Sequence, residues 1–183
     1  MQTICSVDEI KNFKGKISGK EVDRLHWLGT QVPENGTVVE LGPYAGMSTA
    51  SILSGMPASA IMTTVDIWLL DEDYKEKRIL DTHVVQTGAW NDRLIRIVSD
   101  ARLLAKVWTK PIDLLFVDTA KDYETINAIW KAWLPFCRGW VASHDFKYNR
   151  ERYTGVVDTV TELCFPITEQ HHHVDFTWSG KIK

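Results

Sequence analysis

Val38-Val39-Glu40-Leu41-Gly42-Pro43-Tyr44-Ala45-Gly46-Met47-Ser48 decides how this chain is read. An apolar run of β type ends in an acid, two glycines follow four apart, and a helix-forming segment begins. That order spells a strand, a tight turn and a helix start. It departs from the dinucleotide fingerprint G-x-G-x-x-G, because Glu40 stands where that motif has its first glycine. A carboxylate at that point repels a pyrophosphate and attracts an ammonium group. The turn therefore suits a nucleoside that carries positive charge and no phosphate.

Outward from this turn, strand and helix alternate. Ser18 with Glu21 has the form of a capping box and predicts a helix over 19–31. Pro33-Glu34-Asn35-Gly36 is a turn, followed by a strand over 37–41 and a helix over 46–55. Further strands are expected at 61–66, 94–98, 111–118 and 139–145, with helices at 71–88, at 101–108 and from Asp122 onward. The 111–118 run is almost wholly apolar, as a central parallel strand covered on both faces must be. Ile126, Ile129, Trp130 and Trp133 recur at helical spacing and face the sheet. Two last strands are expected near Leu163-Cys164-Phe165 and Val174–Trp178. The pattern is an α/β, doubly wound sheet. Residues 1–17 read as an N-terminal arm and 18–183 as a single domain.

Composition narrows the function. The 183 residues are 44% hydrophobic and 25% charged, with a formal net charge of -3. Nothing in that balance suits a nucleic-acid partner. No apolar run reaches membrane-spanning length, and the N-terminus lacks the pattern of a signal peptide, so a cytoplasmic location is expected. Cys5, Cys137 and Cys164 are odd in number and widely spaced, which fits neither a disulfide framework nor a zinc site. At most two of His171-His172-His173 could share one ion in a strand, where neighbours point to opposite faces.

The candidate site lies where five strands end. Glu40, Asp66, Asp100, Asp118 and Asp145 each close or follow a predicted strand, and in such sheets ligands bind outside the carboxyl ends of the strands. Asp66 is placed to accept both hydroxyls of a ribose. Asp100 can meet an adenine amine, with helix capping as the competing role. S-adenosylmethionine fits these acids, since it has an α-amino group, a sulfonium and no phosphate. His144 is a base candidate from its ordinary pKa.

The turn at 40–46, Thr64-Val65-Asp66, Ser99-Asp100-Ala101, Ile112–Asp118 and Gly139–Asp145, in this order, resemble the class I S-adenosylmethionine-dependent methyltransferases. The resemblance spans roughly 18–178 and is nearest to a compact bacterial branch and to the cation-dependent O-methyltransferases. It implies a Rossmann-like seven-stranded sheet with an antiparallel last strand. It implies S-adenosyl-L-methionine held by Glu40, Gly42, Tyr44, Gly46, Ser48, Asp66, Asp100, Ala101 and Asp118. Asp118-Thr119-Ala120-Lys121-Asp122 is similar to the Asp-x-x-Lys-Asp of the cation-dependent enzymes. By that likeness Asp118 and Asp145 would ligate Mg²⁺ and Lys121 would be the catalytic base, with His144 as its rival. The pattern breaks at Phe146, where the family's third ligand is Asn, and at Lys121, where the bacterial branch has His.

The activity implied is O-methylation of a small hydroxylated acceptor, with no nucleic-acid or membrane partner and with homo-oligomerisation left open. The alternative is a cofactor-binding relative with a different or lost activity. A nicotinamide oxidoreductase on a similar sheet is disfavoured by Glu40. Trp68, Tyr74, Trp90, Tyr148 and Tyr153 are expected acceptor walls.

Overall fold

The computed structural model describes residues 5–67, 93–147 and 151–183. Seven strands form one sheet: β1 (Thr37–Leu41), β2 (Ile61–Asp66), β3 (Leu94–Val98), β4 (Ile112–Val117), β5 (Cys137–Ser143), β6 (Thr168–Val174) and β7 (Thr177–Ile182). Their order is β3-β2-β1-β4-β5-β7-β6. The first five are parallel; β7 runs antiparallel to β5 and to β6. The chain steps outward from β1 through β2 to β3, then returns to lay β4 on the other side of β1. This reversal opens a crevice at the carboxyl ends of β1 and β4.

Alternation of side chains explains the layering. β4 is buried along its whole length. Leu115 and Val117 pack on one face with Ile126, Trp130 and Trp133 of the helix Tyr123–Trp133. Leu114 and Phe116 pack on the other with Leu25, Leu28, Ile52 and Leu53. The latter four come from the helices Gly19–Thr30 and Met47–Gly55. The expected capping box at Ser18 and Glu21 is present, and Asp122 caps the Tyr123 helix through the backbone N–H of Thr125.

A short helix precedes them, Val7–Ile10, with its own capping box at Ser6 and Glu9. It buries Ile10 against Val22, Met47 and Ala50. These contacts tie residues 5–17 to the first two long helices.

Three expectations need correction. The helix after β3 ends at Ala105 rather than Trp108. Leu163-Cys164-Phe165 is not a strand: the chain is wound helically from Thr154 to Ile167. Val156, Val157, Val160 and Cys164 recur at helical spacing and are buried, so three apolar residues alone misled the reading. The run 174–178 is a hairpin turn: Val174 pairs with Thr177 across Asp175 and Phe176. The expected helix 71–88 and the walls Trp68, Tyr74, Trp90 and Tyr148 lie outside the described residues. No helix among the described residues is long and apolar enough to cross a membrane.

Candidate active site

The turn after β1 is locked to its neighbours by backbone. Gly42 N–H donates to Val65 O at 2.9 Å, and Asp118 N–H donates to Leu41 O at 2.9 Å. Gly42 has φ +85°, and a Cβ there would fall 2.0 Å from the carbonyl oxygen of Asp118. Only glycine allows the ends of β1 and β4 to approach this closely. Gly46, also at φ 85°, starts the Met47 helix.

Glu40 lies behind this turn. It is fully buried, and it accepts hydrogen bonds from Ser48 Oγ at 2.5 Å and Thr49 Oγ1 at 2.6 Å. Burial pushes its carboxyl up to about 7 against the pull of the two hydroxyls. Its side chain is not part of the cavity wall, whereas Ser48 is. Glu40 reaches the cavity through its hydrogen bond from Ser48 and through the charges of Asp66 and Asp118, to which it is coupled.

In front of the turn is a cavity of about 760 Å³. Gly42, Tyr44, Ser48, Asp66, Asp100 and Ala101 line one half. Asp66 Oδ1 accepts the backbone N–H of Ile67 at 2.6 Å. Asp100 caps the helix Ala101–Ala105 through Arg102 N–H at 2.7 Å and pairs with the Arg102 guanidinium at 2.6 Å. That pairing holds its carboxyl below the usual range. The capping role is thus realised at a cavity position.

The other half holds Asp118, Lys121, His144 and Asp145. Lys121 Nζ is 3.3 Å from Asp118 Oδ1 and also pairs with Asp145 Oδ2. His144 Nδ1 faces Asp118 Oδ2 at 3.3 Å and Asp145 Oδ1 at 3.6 Å; its Nε2 faces Glu21 Oε1 at 3.4 Å. Burial alone would lower the His144 pKa, but Asp118 and Glu21 raise it to about 9. Burial would likewise raise Asp118, yet His144 and Lys121 hold it low. Asp145 sits at φ 59°, a strained backbone for a non-glycine residue. His144 N–H to Val117 O and Phe146 N–H to Phe176 O pin the backbone on either side of it.

A methyltransferase-domain family model matches residues 39–146, the span from β1 to just past β5. The chain belongs to this methyltransferase family. No curated protein matches it by sequence. Solved structures share its fold at low identity. The O-methyltransferase from Bacillus cereus, in complex with S-adenosylhomocysteine, is 16% identical with a TM-score of 0.72, over 97% of this chain and 90% of that one. The O-methyltransferase TomG from Streptomyces achromogenes, in complex with S-adenosylmethionine, is 16% identical with a TM-score of 0.71, over 92% and 82%. A methyltransferase from Podospora anserina, bound to S-adenosylhomocysteine, is 15% identical with a TM-score of 0.68, over 92% and 80%.

In this methyltransferase the donors offered to a divalent cation are Asp118, His144 and Asp145, whose ligand atoms lie within 4.8 Å of one another. Two of them are carboxylates, which with several waters can meet the oxygen ligation of Mg²⁺, but the Lys121 ammonium bridges both. Asp118 and Glu21 favour the protonated form of His144, which competes with ligation through its ring nitrogens. Phe146 turns away from the cavity and packs on Phe165, Trp178 and His173. The histidine run has structural partners instead: His171 meets Thr168, and His173 Nε2 meets Phe146 O at 2.9 Å.

Several residues in the wall or directly behind it escaped the sequence reading. Glu21 was legible only as a helix cap, and Lys16 only as part of an arm. Yet Glu21 also accepts from Phe176 N–H and Thr177 Oγ1, which aligns it with His144. Lys16 lines the cavity with its Nζ 4.3 Å from the centre of the Tyr44 ring. Arg152 and Phe176 line the far end. No local signal marks them, because each reaches the site from a separate part of the fold.

Proposed function

We propose that this methyltransferase binds S-adenosylmethionine in the cavity and transfers its methyl group to a hydroxyl of a small molecule, without a metal ion. The observation that carries the reading is the Lys121 ammonium set between Asp118 and Asp145, the two carboxylates that the resemblance to cation-dependent enzymes would assign to a metal. The cofactor would lie across the half walled by Gly42, Ser48, Asp66 and Asp100. Asp66 takes the ribose hydroxyls, Ser48 carries the influence of Glu40, and Lys16 faces the cofactor's carboxylate. Residues 5–17 then belong with the domain of 18–183 rather than outside it, since Lys16 closes over the site.

Methyl transfer from a sulfonium is an in-line displacement, so the protein supplies alignment and charge. The acceptor oxygen meets Lys121, whose charge stabilises the negative charge that develops there. The hydroxyl proton passes to Asp145 as the oxygen–methyl bond forms and the methyl–sulfur bond breaks, and S-adenosylhomocysteine leaves. His144 is charged at neutral pH and holds the carboxylates in place; it does not act as the base.

Two expected results test this site. Asp66→Ala should weaken S-adenosylhomocysteine binding by about 1–3 kcal/mol in calorimetry, the range for hydrogen bonds to a charged group. Unchanged affinity would remove Asp66 from the site. Methyl transfer should be indifferent to a chelator and to added Mg²⁺. Activity lost to the chelator and restored by Mg²⁺ would show that a dication displaces Lys121, and the metal-free mechanism would fall.

A further inference from the structure

We propose that the acceptor carries an oxyanion, a carboxylate or a phosphate, besides its hydroxyl, and that Lys147 and Arg152 receive it at the aromatic end of the cavity. The proposal rests on the methyltransferase reading above and names the acceptor's chemical class. Tyr153 and Phe176 line the cavity with His144 and Asp145, and their rings meet edge to face at 5.9 Å. Each ring carries a cation. The Arg152 guanidinium is 5.7 Å from the centre of the Tyr153 ring, and Lys147 Nζ is 4.7 Å from that of Phe176.

Neither cation forms an ion pair among the described residues. The buried acids of this end are engaged elsewhere: Asp118 and Asp145 by Lys121 and His144, and Glu21 by His144. Two cations without an ion pair among the described residues thus stand over the aromatic end of the cavity, while Asp66 and Asp100 line the half that meets the cationic cofactor. A neutral acceptor would leave both cations unpaired. An oxyanion would pair with it: a guanidinium offers a fork of donors to carboxylate or phosphate, and an ammonium adds a point charge. The two ring faces would cover the acceptor's carbon skeleton.

The test uses the full chain saturated with S-adenosylhomocysteine, and pairs of probes matched except for charge. One pair is 3,4-dihydroxybenzoate and 3,4-dihydroxybenzamide; the other is 2-hydroxyphenyl phosphate and catechol. In calorimetry at low salt, the anion of at least one pair should bind about tenfold more tightly than its neutral twin. The pair with the larger gap tells carboxylate from phosphate. The double variant Lys147→Gln/Arg152→Gln should erase the gap and leave S-adenosylhomocysteine affinity unchanged. Anions that bind no better than their twins, including no binding by either, overturn the proposal. So does a gap that survives the double variant. Failure of the wild-type chain to bind S-adenosylhomocysteine in the first titration would instead sink the cofactor reading, so the two failures are distinguishable.

Discussion

Lys121→Met is expected to lower kcat by about 10²–10³-fold, the range for removing one preorganised charge or donor from a developing oxyanion. The substitution keeps the length and apolar stem of the side chain and deletes its charge, so Asp118 and Asp145 lose the ammonium that bridges them. S-adenosylhomocysteine affinity should change little, because the cofactor half of the cavity is lined by other residues. Lys121→Arg separates two roles. An arginine restores charge but gives up no proton, so substantial recovery of turnover identifies electrostatic stabilisation, and none identifies a base. His144→Ala is the companion. Full turnover in Lys121→Met with loss in His144→Ala would make His144 the catalytic group, and the charge reading would be wrong.

The second large effect is structural. Gly42→Ala places a methyl group 2.0 Å from the carbonyl oxygen of Asp118 at φ +85°. The backbone strain and the overpacking are each worth about 1–3 kcal/mol. A total of about 3 kcal/mol would lower the melting temperature by roughly 6–12 °C for a chain of this size. The ends of β1 and β4 must separate to accommodate the methyl, and both carry site residues, so cofactor binding should fall with stability. Gly19→Ala is the control, since a Cβ there meets only the Lys11 side chain at 3.6 Å. Equal melting temperatures for the two variants would show that the tight approach at Gly42 is not needed.

Much of the architecture could be read from the chain because its signals are local. A strand, a glycine pair and a helix start lie within one turn of chain at 38–48, and the structure has β1, the turn and the Met47 helix there. The caps at Ser18 and Asp122 join a side chain to a backbone N–H three residues on. The apolar run 111–118 fixed the most buried strand. Where the signal was short, as at Leu163-Cys164-Phe165, the reading failed, because three apolar residues fit a strand and a helix equally well.

The sequence by itself determined the order of the strands from β1 to β5, the acids at the strand ends and the absence of an amide oxygen at Phe146. The tertiary structure decided what those acids face. Glu40 turned inward to Ser48 and Thr49, and Asp100 spent its charge on Arg102. Glu21 crossed the fold to His144, and Lys121 came to bridge the ends of β4 and β5. Secondary structure follows from neighbours a few residues apart. Charge pairing follows from distance in space, and only the closed sheet brings residues from the first helix, β4, β5 and the last hairpin to one edge.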